Sequence, residues 1–159
     1  MTGAAAVELF PGLGWHWLPS HRADPRAYAL YRRHYSAAKN ARGRAHTDNF
    51  MGPGETMVLL TTGCDAVFAW QRNGGAPRLD GQEGVCCTIF RNEGPLLSSG
   101  LIREACELAW GRWPGSRLFT YVDTRAVRSA NPGYCFLVAG FRRCGWSKTR
   151  RLLLLERCP

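Results

Sequence analysis

The chain has 159 residues, 45% of them apolar, enough for one domain with a full core and too apolar for a disordered chain. Its formal net charge of +9 points to a polyanionic partner, most simply double-stranded DNA, and away from acidic or neutral binding roles. No apolar run reaches the roughly 18 residues of a membrane span, and no basic segment precedes an apolar one at the N-terminus, so a cytoplasmic protein with no membrane partner is expected.

Residues 1–23 read as irregular, with Trp15 and Trp17 on one side of a candidate edge strand. Asp24-Pro25 is a helix start, Asp as N-cap and Pro at the first helical position, and the pattern runs to about Lys39. Tyr28, Tyr31 and Tyr35 form one stripe on it, with Arg32, Arg33 and His34 beside them. Residues 39–55 read as a basic loop carrying Lys39, Arg42, Arg44 and His46, suited to phosphate contact. Met57–Thr61 and Ala66–Gln71 read as a hairpin around Gly63-Cys64-Asp65.

The next stretch organises the chain. Val85–Phe90 is an apolar strand, Arg91–Pro95 a turn, and Ser98-Ser99 begin a helix that Trp113-Pro114-Gly115 stops. Leu118–Asp123 is a second strand; Asn131-Pro132-Gly133 starts another helix, closed by Gly140-Phe141. Strand, helix, strand is the pattern of a parallel pair with a crossover, and ligands bind at the carboxyl ends of such strands. Arg142–Trp146 and Leu152–Glu156 are two last strands, joined by the basic turn Lys148-Thr149-Arg150-Arg151. The order predicts a mixed α/β protein with residues 1–159 as a single domain. Seven cysteines without a C-x-x-C pair read as buried, reduced thiols.

The turn Arg91-Asn92-Glu93-Gly94-Pro95-Leu96, and the helix from Asn131 to Gly140-Phe141, resemble the corresponding segments of the GNAT superfamily of acyl-CoA-dependent N-acyltransferases, over roughly residues 55–157. The resemblance implies a GNAT-like acyltransferase fold, a mixed central sheet flanked by helices. It implies acyl-CoA pyrophosphate at the turn, with Arg91, Gly94, Ser98, Ser99 and Asn131 as candidate cofactor-binding residues. A helix N-terminus suits that role by its open N–H groups and partial positive charge, while Ser98 and Ser99 are equally suited to capping. The chain departs from the family at Leu96, at Pro95, which has no N–H to offer, and at Phe136, where many members have a tyrosine.

Shorter phrases are closer to a narrower group. Arg33-His34-Tyr35-Ser36, Phe90–Gly94 with Ser98-Ser99, Tyr121-Val122-Asp123 and Asn131–Phe136 resemble the phage Mom-like DNA modification proteins, related to GNAT in fold. That resemblance implies conversion of adenine in double-stranded phage DNA to an N6-carbamoylmethyl form that protects it from restriction. The candidate catalytic residues are then His34, Tyr35, Asp123 and Tyr134. His34 is the expected base, as a histidine titrates near neutral pH; Tyr35 would hydrogen-bond or stack with the adenine; Asp123 would orient His34, take a proton or bind a metal. His34 with Asp123 leaves iron open as a cofactor. Arg32, Arg33, Lys39, Arg42, Arg44, Lys148, Arg150 and Arg151 are the candidate DNA-binding residues, and a homodimer is left open. An ordinary acetyl-CoA-dependent N-acetyltransferase and a non-catalytic DNA-binding module are the alternatives.

Overall fold

Among the described residues, seven strands form one mixed sheet, in the spatial order Trp17–Ser20, Glu55–Thr61, Ala66–Arg72, Val85–Asn92, Leu118–Val122, Leu153–Arg157, Arg142–Trp146. The computed structural model describes residues 15–37, 50–74, 78, 80–127 and 129–159. Its strands are β1 (Trp17–Ser20), β2 (Glu55–Thr61), β3 (Ala66–Arg72), β4 (Val85–Asn92), β5 (Leu118–Val122), β6 (Arg142–Trp146) and β7 (Leu153–Arg157). Its helices are α1 (Pro25–Arg32), α2 (Ser98–Arg112) and α3 (Tyr134–Val138). β4 and β5 run parallel, and every other neighbouring pair is antiparallel. The chain is therefore mixed α/β, as expected. No described helix is long and apolar enough to cross a membrane.

The sheet is apolar on both faces because helices cover both. β3 is buried throughout Ala66–Trp70. α1 lays Ala27 and Leu30 against Val58, Leu60, Val67, Ala69 and Ile89 on one face. On the other, Leu101, Ile102, Ala105 and Ala109 of α2 pack against Trp17, Phe68, Trp70, Val85 and Cys87. Two buried tryptophans fix α2 in place, Trp17 Nε1 donating to the Leu101 carbonyl (2.8 Å) and Trp70 Nε1 to that of Ala105 (2.9 Å). An apolar partner alone would let the helix slide; two directed bonds in a dry interface do not.

α1 begins as the sequence predicts, with Asp24 accepting from the Arg26 N–H (2.9 Å) and Pro25 following the cap. It ends at Arg32, well short of Lys39. The Arg33 and His34 amides bond three residues back, to Leu30 and Tyr31, and the His34 ring offers the Ser36 amide a side-chain acceptor. Such a local acceptor competes with helix continuation. The tyrosine stripe divides in consequence. Tyr28 and Tyr31 pack with Phe50, while Tyr35 leaves the helix and goes elsewhere.

All seven cysteines are free: Cys86, Cys87 and Cys106 are buried as expected, Cys64 and Cys135 half-buried, and Cys144 and Cys158 exposed. Burial pushes the Cys86 thiol up to about 12 and that of Cys106 to about 11, so both stay protonated.

Candidate active site

The parallel pair parts soon after it forms. β4 and β5 are in register at Val85↔Leu118, Cys86↔Phe119 and Cys87↔Thr120 and no further, although both strands continue. The cause lies in β4. Consecutive β3 residues Ala69 and Trp70 face Ile89 and Cys87, so Thr88 is an extra residue, a β-bulge. A bulge bends its strand and reverses the facing of the residues beyond it. Val85 and Cys87 accordingly face α2, whereas Ile89 faces α1. Thr120, buried, donates its hydroxyl to the Cys87 carbonyl (3.1 Å) across the final register pair.

Beyond this point lies a cavity of about 420 Å³, a volume suited to a small ligand or a single base. Thr88, Phe90, Val122 and Asp123 line it from the two strands, His34 and Tyr35 from the turn after α1, Phe136 from α3, and Arg150 from the β6–β7 turn. A second cavity of about 810 Å³ lies between β1, β2 and α2 and holds none of the predicted site residues.

The neighbours His34 and Tyr35 thus share one cavity with Asp123, which is distant in sequence. The His34 and Tyr35 rings lie 4.2 Å apart between centroids, and the Asp123 N–H donates to Tyr35 Oη at 3.4 Å. The His34 ring is held by its own turn: the Ser36 N–H donates to Nδ1 (3.2 Å), and Ser36 Oγ lies 2.8 Å from the same nitrogen. An amide can only donate, so Nδ1 accepts, and the neutral ring carries its proton on Nε2. Burial, with help from the nearby Arg91 charge, lowers the His34 pKa to about 4. With Nδ1 accepting, the neutral His34 ring presents Nε2–H as a donor rather than a free lone pair. Burial likewise raises the Tyr35 phenol, which keeps its proton. Asp123, 6% exposed, accepts at Oδ1 from the Arg125 N–H (3.1 Å), with Arg125 Nε at 3.5 Å.

The other predicted residues scatter. Tyr134 is 61% exposed and does not line the cavity; Gly133, Cys135 and Phe136 do. Asn131 is not the N-cap of α3: Gly133 takes that position with φ +79°, and Asn131 Oδ1 accepts from Arg143 Nη2. Leu97, not a serine, holds the N-cap position of α2 and makes no side-chain capping bond; Ser98 Oγ accepts from Asn92 Nδ2 (3.0 Å), and Ser99 is buried.

The turn after β4 fits a pyrophosphate poorly. The Glu93 N–H donates to the Asp65 carbonyl (2.7 Å), the Gly94 N–H to Asn92 Oδ1 (3.0 Å), and Pro95 has none. A Cβ on Gly94 would stand 2.3 Å from the Asp65 carboxylate, so glycine is needed there to admit Asp65. Arg91 (2.5 Å) and Arg33 (2.7 and 2.9 Å) both bind the Glu93 carboxylate. The Glu93 and Gly94 amides are thus already bonded, and two carboxylates, Asp65 and Glu93, lie at the turn where an acyl-CoA pyrophosphate was expected. For iron, His34 and Asp123 would supply two ligands; no group of three or more His, Cys, Asp or Glu able to hold a metal occurs among the described residues.

Of the basic residues, Arg32 is exposed, Arg33 is tied to Glu93, and Lys148, Arg150 and Arg151 lie exposed in the turn beside the cavity. Lys39, Arg42, Arg44 and His46 fall outside the described residues. Sequence reasoning missed Arg78, Thr120 and Val127 in the cavity wall and Arg125 at its edge. The signal for Thr120 was present, as the one hydroxyl in the otherwise apolar Leu118–Val122 run apart from the Tyr121 phenol. No protein-family model, no curated protein and no solved structure matches the chain.

Proposed function

We propose that this protein modifies adenine at N6 in double-stranded DNA, within the cytoplasm of a bacterial host, on a GNAT-type fold, as the Mom-like proteins it resembles are implied to do. The observation that carries the reading is the cavity where β4 and β5 part, with His34, Tyr35 and Asp123 gathered in it and Arg150 at its wall. A GNAT-type fold is supported by the strand order and by a parallel pair that separates beside a bulge.

A duplex hides adenine N6 in the stack, so the base must swing out. The cavity's half-apolar wall, with Phe90, Val122 and Phe136, suits a flat heterocycle, and the exposed Lys148, Arg150 and Arg151 suit the phosphates on either side. The N6 lone pair is delocalised into the ring, and bonding N6 to the carbon of an incoming carbamoylmethyl group expels one N6 proton. His34 has no open nitrogen to receive it. Asp123 is the carboxylate of the cavity wall and takes that proton, while the leaving group of the carbamoylmethyl donor departs with its bonding electrons. An acetyl-CoA-dependent reading has less support, given the carboxylates at the β4–α2 turn and a phenyl ring, Phe136, in the cavity wall.

The test is chemical. The protein is expressed in a bacterium, its DNA digested to nucleosides, and deoxyadenosine examined by mass spectrometry. A carbamoylmethyl adduct that disappears with Asp123→Asn is the expected result; unmodified deoxyadenosine with the folded wild-type protein present overturns the reading.

A further inference from the structure

Two side-chain donors of residues that line the cavity have no acceptor among the described residues. Nδ1 of His34 is used within its own turn, whereas Nε2 has no hydrogen-bond partner among the described residues and is not sealed from solvent. Tyr35 Oη accepts the Asp123 N–H, and its own proton meets no acceptor among the described residues. The two rings are adjacent, 4.2 Å between centroids, in the wall of one cavity. Both groups are neutral, because burial disfavours the imidazolium and the phenolate alike.

We propose that His34 Nε2–H and Tyr35 Oη–H together form a subsite for a neutral carbonyl oxygen, that of the group being transferred. A carbonyl oxygen has two lone pairs and takes two donors at once. The Watson–Crick and Hoogsteen edges of adenine set a donor amine beside each acceptor nitrogen, so they do not match a pair of donors. Arg78 and Arg150 share the wall with Asp123, so its charges do not select the oxygen; the two donors are neutral and match a neutral acceptor. In a carbamoylmethyl group this oxygen sits on the carbon next to the methylene that N6 attacks, so the subsite would hold that methylene in line for displacement, while the charge of the step leaves with the leaving group. The assignment of the oxygen to a transferred group rests on the function proposed above; the affinity for a carbonyl does not.

Acetamide serves as the probe, with the full-length protein labelled with 15N-histidine. The expected spectrum has His34 as the Nε2–H form. Its Nε2–H proton moves downfield and saturates with acetamide, and ethylammonium, which offers no acceptor, leaves it in place. Tyr35→Phe, which keeps the ring, weakens acetamide by about 2- to 10-fold, the value of one neutral hydrogen bond. An Nδ1–H form, an unmoved Nε2–H, or an equal response to ethylammonium overturns the subsite. On DNA modification, Tyr35→Phe lowers the rate at saturating DNA by about 2- to 10-fold, the value of one neutral hydrogen bond that orients the group. His34→Gln, which keeps an N–H, retains more rate than His34→Ala. Equal loss in the two His34 variants, with a wild-type pH limb near 6.5, means a base and not a donor. A shifted Nε2–H beside unmodified DNA keeps the subsite and sinks the DNA reading.

Discussion

Burial of its ring, beside the Arg91 charge, makes His34 a pH-linked element of stability. In the unfolded chain it takes up a proton near pH 6.5, and in the folded protein near pH 4. Between those values the unfolded state binds more protons, so stability rises with pH. The contribution is complete above pH 6.5 and is lost as pH falls toward 4. At 1.36 kcal/mol per pH unit the loss is about 1.4 kcal/mol at pH 5.5 and about 2.5 kcal/mol at pH 4.5, relative to pH 7.5. Other groups titrate over the same range, so the measurement is a difference. Urea unfolding of the wild type and of His34→Gln is followed at pH 7.5, 5.5 and 4.5, and the gap between the two stabilities should shrink by these amounts as the pH drops. A gap that stays constant would mean that His34 titrates alike in both states, and the burial argument would fail.

Three more outcomes are expected at the cavity wall and its rim. Gly133→Ala places a side chain on a backbone at φ +79° with its Cβ 2.8 Å from Leu155 Cδ1; a loss of about 2 kcal/mol in urea unfolding is expected, and an unchanged midpoint would contradict that backbone. Thr120→Val removes the hydroxyl tie to Cys87; stability falls by about 1 kcal/mol, and amide exchange at Tyr121–Asp123 speeds up more than elsewhere in β5. The triple change Lys148→Ala, Arg150→Ala, Arg151→Ala lowers the slope of log affinity for duplex DNA against log salt by up to about 2.7, at roughly 0.9 per phosphate. A slope equal to that of the wild type would remove this turn from the DNA interface.

Element order was legible because it rests on local pattern. The Asp24-Pro25 start, the hairpin about Cys64, and the alternation of apolar strands with the long α2 are each readable from neighbours in sequence. The crossover around α2 comes from the same pattern, and it leads to a parallel β4–β5 pair with a cavity at its open end. The illegible features depend on distant partners. Thr88 has no marker of a bulge, which exists only in the register against β3. Gly94 looks like a phosphate-loop glycine, yet its bareness answers Asp65. His34 has the composition of a base, and two atoms of Ser36 turn it into a donor. Tyr134 and Asn131 fell on a helix start whose geometry is set by Gly133, which leaves both outside the cavity.

The most direct test of the account asks whether one base enters the opening between β4 and β5. Affinity is measured for a duplex with adenine paired to thymine and for the same duplex with adenine opposite an abasic site, with the wild type and with Val127→Trp, which fills the cavity wall. An extruded base costs less to release when it is unpaired, so the wild type should bind the abasic duplex at least about 10-fold more tightly, and Val127→Trp should bind both alike. Equal affinity of the wild type for the two duplexes would contradict the account.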